Sequence, residues 1–223
     1  MNDHHQLLQI HIYNTDGSFE TFVQNEEDLA KRILDEFLPD RIFARDKITI
    51  ADGHSLTAFP VNQVVRLDLV SERLLGWMPP SEIVPAVELS ETEFRALLRN
   101  PELGGQWDPL QTPDASVVVF LEVEMAGQPP LFLVMEIAGE PLADPPGTVA
   151  SLFAAPALCF RMRSGGIAAL NLAHLMAVTL LPGSQPLPLD AWPAQRVRSL
   201  QPNRPARNGD DQALPPGILQ AAR

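Results

Sequence analysis

The sequence predicts an α+β fold made of two β-rich units, each with at most one helix, joined by a connector and followed by a proline-rich tail. Three observations carry that prediction. Short runs alternate apolar and polar residues and end at glycine-containing turns, the pattern of half-buried strands in hairpins. A single stretch carries a long helical stripe of apolar residues. The second half of the chain repeats much of the apolar spacing of the first.

The first unit is read over residues 1–73. Leu8, Ile10 and Ile12 alternate with Gln9, His11 and Tyr13, and Asp16-Gly17 then marks a tight turn into a strand from Phe19 to Val23. Asn25 is the expected N-cap of a helix whose first turn holds Glu26, Glu27 and Asp28. Its stripe is Leu29, Ile33 and Phe37, widened by Ala30, Leu34 and Leu38, and Pro39 stops it. A second hairpin is expected from Lys47 to Ile50 and from Ser55 to Phe59 around Asp52-Gly53, and a further strand from Val64 to Val70. In that strand Arg66 and Asp68 lie opposite Val65, Leu67 and Leu69, and they read as charges that guard a sheet edge.

Residues 74–114 differ in texture, with prolines at 79, 80, 85, 101, 109 and 113. They read as a structured connector, because Trp77, Met78 and Trp107 would otherwise be exposed. Its one short helix starts at a capping box of Ser90 and Glu93 and presents Phe94, Leu97 and Leu98.

The second unit is read over residues 115–181. Val117 to Met125, a turn at Ala126-Gly127-Gln128, and Leu131 to Ile137 form its first hairpin. Leu158 to Met162 and Ile167 to Leu170 flank Ser164-Gly165-Gly166, and Leu172 to Leu181 supplies a last strand. From residue 182 to 223 eight prolines and few large apolar residues read as an irregular tail.

The two units align as an internal duplication. Ile42-Phe43-Ala44 matches Leu152-Phe153-Ala154 at a spacing of 110. Leu56, Ala58, Phe59, Val64, Leu67 and Leu69 match Ile167, Ala169, Leu170, Leu175, Val178 and Leu180 at 111. The change of one residue falls in a hairpin turn, and Gly17 lies against Gly127 at about the same spacing. Where the first unit has its helix, the second has Gly139, Pro141, Pro145, Pro146 and Gly147, which forbid a full helix.

Charge narrows the partners. Of 223 residues, 16 are Lys or Arg and 28 are Asp or Glu, a net of −12. Five Arg against three Asp give the tail +2, which leaves −14 to the first 181 residues. Phosphate backbones and anionic membranes repel such a body, so the expectation is no nucleic acid and no membrane, with a protein partner or a second copy instead. The longest apolar stretch, Ile167 to Leu181, contains Asn171 and His174 and is too short to span a bilayer. The N-terminus has no basic region followed by an apolar stretch, so a cytoplasmic location is expected.

The chain offers little chemistry. The one cysteine, Cys159, lies in an apolar run and reads as a core residue. His4, His5, His11, His54 and His174 have no metal-ligand spacing outside the terminus, and His174 reads as a hydrogen-bonded core or edge histidine. No phosphate loop, dinucleotide fingerprint or nucleophile elbow occurs, so no cofactor, metal or catalytic residue is assigned.

Two sets of residues stand out. Glu122 and Glu124 share one strand face, as do Arg161 and Arg163, the only basic residues between Asn100 and Pro182. They form a candidate anion or ion-pair site. Leu172 to Leu181 has no charge at all: Ala177 and Thr179 stand where the first unit has Arg66 and Asp68, so that strand is either covered or an interaction surface. The expected function is a non-enzymatic binding or assembly module. The alternative is an enzyme or small-ligand receptor with a carboxylate and arginine site between the two units.

Overall fold

A computed structural model describes residues 7–51, 54–71, 86–99, 117–137 and 154–181. Strands dominate. In chain order they are β1 (Leu8–Asn14), β2 (Phe19–Gln24), β3 (Lys47–Ala51), β4 (Leu56–Pro60), β5 (Val64–Val70) and β6 (Ala86–Leu89), then β7 (Val117–Met125), β8 (Leu131–Ile137), β9 (Ala157–Arg161), β10 (Ile167–Asn171) and β11 (Leu175–Leu181). Helix α1 (Glu27–Glu36) follows β2, and α2 (Glu91–Leu98) follows β6. The fold is therefore mixed α+β, and the described residues fall in one compact unit. No helix among the described residues is long and apolar enough to cross a membrane.

Nine strands form one sheet in the order β11-β7-β8-β6-β9-β10-β5-β1-β2, and β3 pairs with β4 in a separate hairpin. Strands from both halves of the sequence thus share a sheet. The junction is β10 on β5, antiparallel, with Ile167 opposite Leu69 and Leu170 opposite Arg66. All other pairings are antiparallel too, except the short parallel contact of β6 with β9.

The pairing pattern of residues 8–70 recurs in residues 117–181. In one half β1 pairs with β2 and β5, and in the other β7 pairs with β8 and β11. Registers agree as well. Gln9 opposite Val70 becomes Phe120 opposite Leu181, and Asn14 opposite Val64 becomes Met125 opposite Leu175, a shift of 111 throughout. A bulge interrupts both ladders at the same place, between Tyr13 and Asn14 and between Leu175 and Ala177. In the hairpins, Ile48 opposite Phe59 becomes Leu158 opposite Leu170, a shift of 110 on one strand and 111 on the other. Equivalent bonds tie each first turn to a 3-10 turn: Thr15 N–H donates to Gln63 O, and Ala126 N–H donates to His174 O.

Each half buries the inner face of its own hairpin. In the first core Ile10, Ile12, Leu67 and Leu69 meet Ile48 and Phe59, with Ala30 and Leu34 of α1 and Phe37 at its C-cap alongside. In the second, Leu121, Val123, Leu131 and Leu133 meet Leu158, Phe160, Ala168 and Leu170. The outer face of β9–β10 (Ala157, Cys159 and Ala169) also joins the first core, so this hairpin is buried on both sides. Helix α2 seals the far side of β7–β8 through Phe94, whose ring sits edge-on to Phe120 at 5.6 Å.

Several expectations change. Residues 74–114 contain a strand, β6, as well as the expected helix; four residues after Pro85 are too few to show a period. The first turn of α1 is capped differently: Glu26 occupies the N-cap with no side-chain bond, and the Gln24 side chain accepts the Glu26 N–H. The capping box at Ser90 and Glu93 is present. Gly17 does not correspond to Gly127, because the equivalent turn bonds are Gly17 N–H to Asn14 O and Gln128 N–H to Met125 O. The positive φ sits one residue earlier in the second turn, where a Cβ on Gly127 would press on the Thr15 carbonyl. Leu172–His174 is a 3-10 turn, so the last strand starts at Leu175. Asp52-Gly53, Trp77, Met78, Trp107, the glycine- and proline-rich stretch around 139–147, the Leu152-Phe153 match and the tail lie outside the described residues.

Candidate functional site

Arg66 and Asp68 do not guard an edge. Strand β5 is paired on both sides, and only 13% of the Arg66 side chain and 4% of the Asp68 side chain are exposed. Residues two apart on a strand share a face, and here Arg66 Nε lies 2.6 Å from Asp68 Oδ1. The Arg66 guanidinium carbon lies 5.4 Å from the ring centre of Tyr13 and 5.2 Å from that of Phe160, favourable cation–π positions. Its Nη2 donates to the Met162 sulfur at 3.3 Å. Burial raises the Asp68 carboxyl above its ordinary value, outweighing the Arg66 contact that lowers it. Tyr13, hydrogen-bonded to Asp68, is also raised, first by burial and then by the Asp68 charge.

From this pair a ladder of alternating charge runs across the sheet to α2. Arg66 Nη1 lies 3.9 Å from Glu88 Oε1 on β6. The Arg163 backbone N–H donates to Glu88 Oε2 at 3.1 Å, and Arg163 Nε lies 3.3 Å from Glu93 Oε2. Glu93 in turn closes the α2 capping box with Ser90, whose hydrogen bonds hold its carboxyl below the usual range. Over the end of the ladder lies an open hollow of about 530 Å³ lined by Glu88, Leu89, Ser90, Arg163 and Ser164. Two guanidinium groups face three carboxylates along this line, so each cation is already matched. The Ser90 hydroxyl at this hollow donates to the Glu93 carboxylate, which also accepts the Ser90 N–H, so both groups are engaged in capping α2. Among the described residues no group of three His, Cys, Asp or Glu side chains could hold a metal ion.

The four residues of the sequence-derived anion site are not brought together. Strands β8 and β6 lie between β7, which carries Glu122 and Glu124, and β9, which ends at Arg161. Glu122 instead pairs with Arg95 of α2 at 3.4 Å. Arg163 turns to Glu88 and Glu93, and Arg161 is exposed opposite Ile167. Ala177 and Thr179 lie on β11, half-buried, opposite Glu124 and Glu122 of β7. Cys159 is in the core, where burial pushes its thiol up to about 12, so it is a packing residue and not a nucleophile. His174 differs from expectation: its Nε2 is buried without a hydrogen-bond partner among the described residues.

Sequence reasoning missed Asn171. It is 3% exposed, and its side-chain amide donates to Val61 O at 3.1 Å and Val64 O at 2.9 Å, tying the end of β10 to the first half. A lone Asn at the end of an apolar run gives no sign of this, because both acceptors are backbone carbonyls more than a hundred residues away. No protein-family model, curated protein or solved structure matches this chain.

Proposed function

We propose that the chain is a non-enzymatic binding or assembly module, built by internal duplication of one strand unit and acting through the open edges of that unit. The duplication is supported by the shared register, bulge and turn bonds of the two halves, which chance alternation of apolar residues would not reproduce. The binding role rests on one observation above all. Of the five large apolar side chains exposed among the described residues, four lie on strands that end a sheet: Phe19 and Val23 on β2, Leu56 on β4 and Met176 on β11. Edge strands normally carry charge or proline against unwanted pairing, and apolar residues there favour a partner. The charge ladder, with every cation matched, serves as internal structure in this reading. The partner is a protein surface, since the acidic body disfavours phosphate backbones and anionic lipid.

Affinity isolation of the full chain beside a Phe19→Lys, Leu56→Lys, Met176→Lys variant tests the proposal. A binding module retains a partner that the folded variant loses. Identical retention by both contradicts the reading.

A further inference from the structure

The two hairpins have one register and different surroundings. β10 lies on the outer edge of β5, with Ile167 opposite Leu69, Ala169 opposite Leu67 and Leu170 opposite Arg66. At the same spacing, the counterpart of β10 is β4 and the counterpart of β5 is β11. Among the described residues β4 pairs only with β3, and β11 pairs only with β7. Burial follows the same division. Cys159 and Ala169 are buried, while their counterparts Thr49 and Ala58 are exposed. Val65 is fully buried in the second core, while its counterpart Met176 is 69% exposed. Leu56, the counterpart of Ile167, is 72% exposed.

We propose that a second copy of this chain makes the missing contact: β4 of one copy pairs antiparallel with the outer edge of β11 of another, in the register that β10 uses on β5. This inference rests on the duplicated binding module proposed above. It places Leu56 opposite Leu180, Ala58 opposite Val178 and Phe59 opposite Ala177. Neither β4 (Leu-Thr-Ala-Phe-Pro) nor β11 (Leu-Met-Ala-Val-Thr-Leu-Leu) carries a charge, so pairing them desolvates none. The small side chains of Ala58 and Ala177 let the strands approach closely. In the internal joint Ile167 packs on the first core and Val65 in the second, so the contact covers Leu56 and Met176 on opposite faces of the joined sheet.

The contact uses two different surfaces, so two copies exchange hairpins reciprocally or further copies add in series. It is weaker than its internal counterpart. Three features hold β10 on β5: the Asn171 amide, the close approach of Gly166 to the β5 backbone, and the Arg66–Asp68 pair. Pro60, Ser55, and Ala177 with Thr179 stand in the corresponding places, with no side-chain amide, no glycine and no charge among them. The association is accordingly reversible.

Sedimentation velocity of the full chain over a concentration series tests this, beside Leu56→Lys on β4 and Met176→Lys on β11. Both substitutions are on exposed side chains, and an unchanged thermal midpoint and circular dichroism spectrum confirm the fold. If Leu56→Lys lowers the midpoint, Ala58→Lys replaces it. The native chain should associate, and each variant alone should associate at least about tenfold more weakly. Mixing the two variants should restore a two-copy species, because a sound β4 then meets a sound β11. A native chain that stays monomeric overturns the proposal, as do variants that associate like the native chain or a mixture that restores nothing. If the native chain is monomeric while the triple edge variant still loses a different protein on affinity isolation, the second-copy contact fails and the binding module stands.

Discussion

In the second half of the chain, the β9–β10 hairpin has both faces buried and its outer edge paired with β5; in the first half, β3–β4 has one face buried and its outer edge open among the described residues. The hairpins share register and length, so strand geometry does not decide which is covered. Four side chains and one glycine do. Arg66, Asp68, Gly166, Asn171 and Tyr13 gather at the covered junction, while their counterparts are Ala177, Thr179, Ser55, Pro60 and Glu124. Under the proposed duplication, one strand unit serves as an internal joint and, with a few side chains changed, as an open contact.

The strongest way to break this comparison is Arg66→Met. Removing the cation leaves Asp68 buried with only its Tyr13 hydrogen bond and no counter-charge, at a cost of about 3–5 kcal/mol in urea unfolding. At the counterpart position Ala177→Met should cost under about 1 kcal/mol. Equal effects at the two positions would mean that the pair does not distinguish the joints.

Gly166 is next. Its φ is +94°, and a Cβ there would collide with the Leu69 carbonyl and the Val70 Cα of β5. Gly165, at φ +90°, has nothing within 4 Å of such a Cβ. Gly165→Ala should cost only the backbone strain, about 1–2 kcal/mol. Gly166→Ala should cost about 3 kcal/mol or more, since β10 must also move off β5. Matching thermal midpoints for the two variants would show that the close approach is not needed.

Asn171→Ala should cost about 2 kcal/mol, because it leaves the Val61 and Val64 carbonyls unpaired under β10. Pro60→Ala, at the matching place on β4, should be nearly neutral.

The smallest effect is a pH dependence. Burial raises the Asp68 carboxyl, so the folded chain holds that proton more tightly than the unfolded chain. The resulting stability is complete below the ordinary carboxylate value and is lost as pH rises through the raised folded value. The unfolding free energy of the native chain relative to Asp68→Asn should fall across that window. A difference that rises with pH would mean that the Arg66 contact outweighs burial.

Much of the local structure was legible in the sequence. Alternation in Leu8–Ile12 and Leu67–Leu69, the stripe of α1, and the Ser90–Glu93 box all fix elements through neighbours within a few residues. Sheet order was not legible, because two equivalent edges compete for a strand and the choice depends on contacts about a hundred residues apart. The charge pairs failed for the same reason. Arg66 and Asp68 looked solvent-exposed because charged residues on strands usually are, and the docking of β9–β10, with Tyr13 of β1 alongside, buries them. Glu122 and Glu124 do share a face, but the cation facing Glu122 is Arg95, delivered by a helix whose place over β7 and β8 follows from Phe94 packing on Phe120 and Phe132.

Amide hydrogen exchange on the full chain, followed strand by strand at low and high protein concentration, tests the central claim most directly. Amides of β5 and β10 should be protected at both concentrations, since their joint is internal. Among 56–59 and 177–180, the amides that point away from β3 and β7 should exchange quickly when dilute and become protected together as concentration rises. Protection of β4 and β11 that does not change with concentration, or β5 and β10 exchanging as fast as β11, would contradict the account.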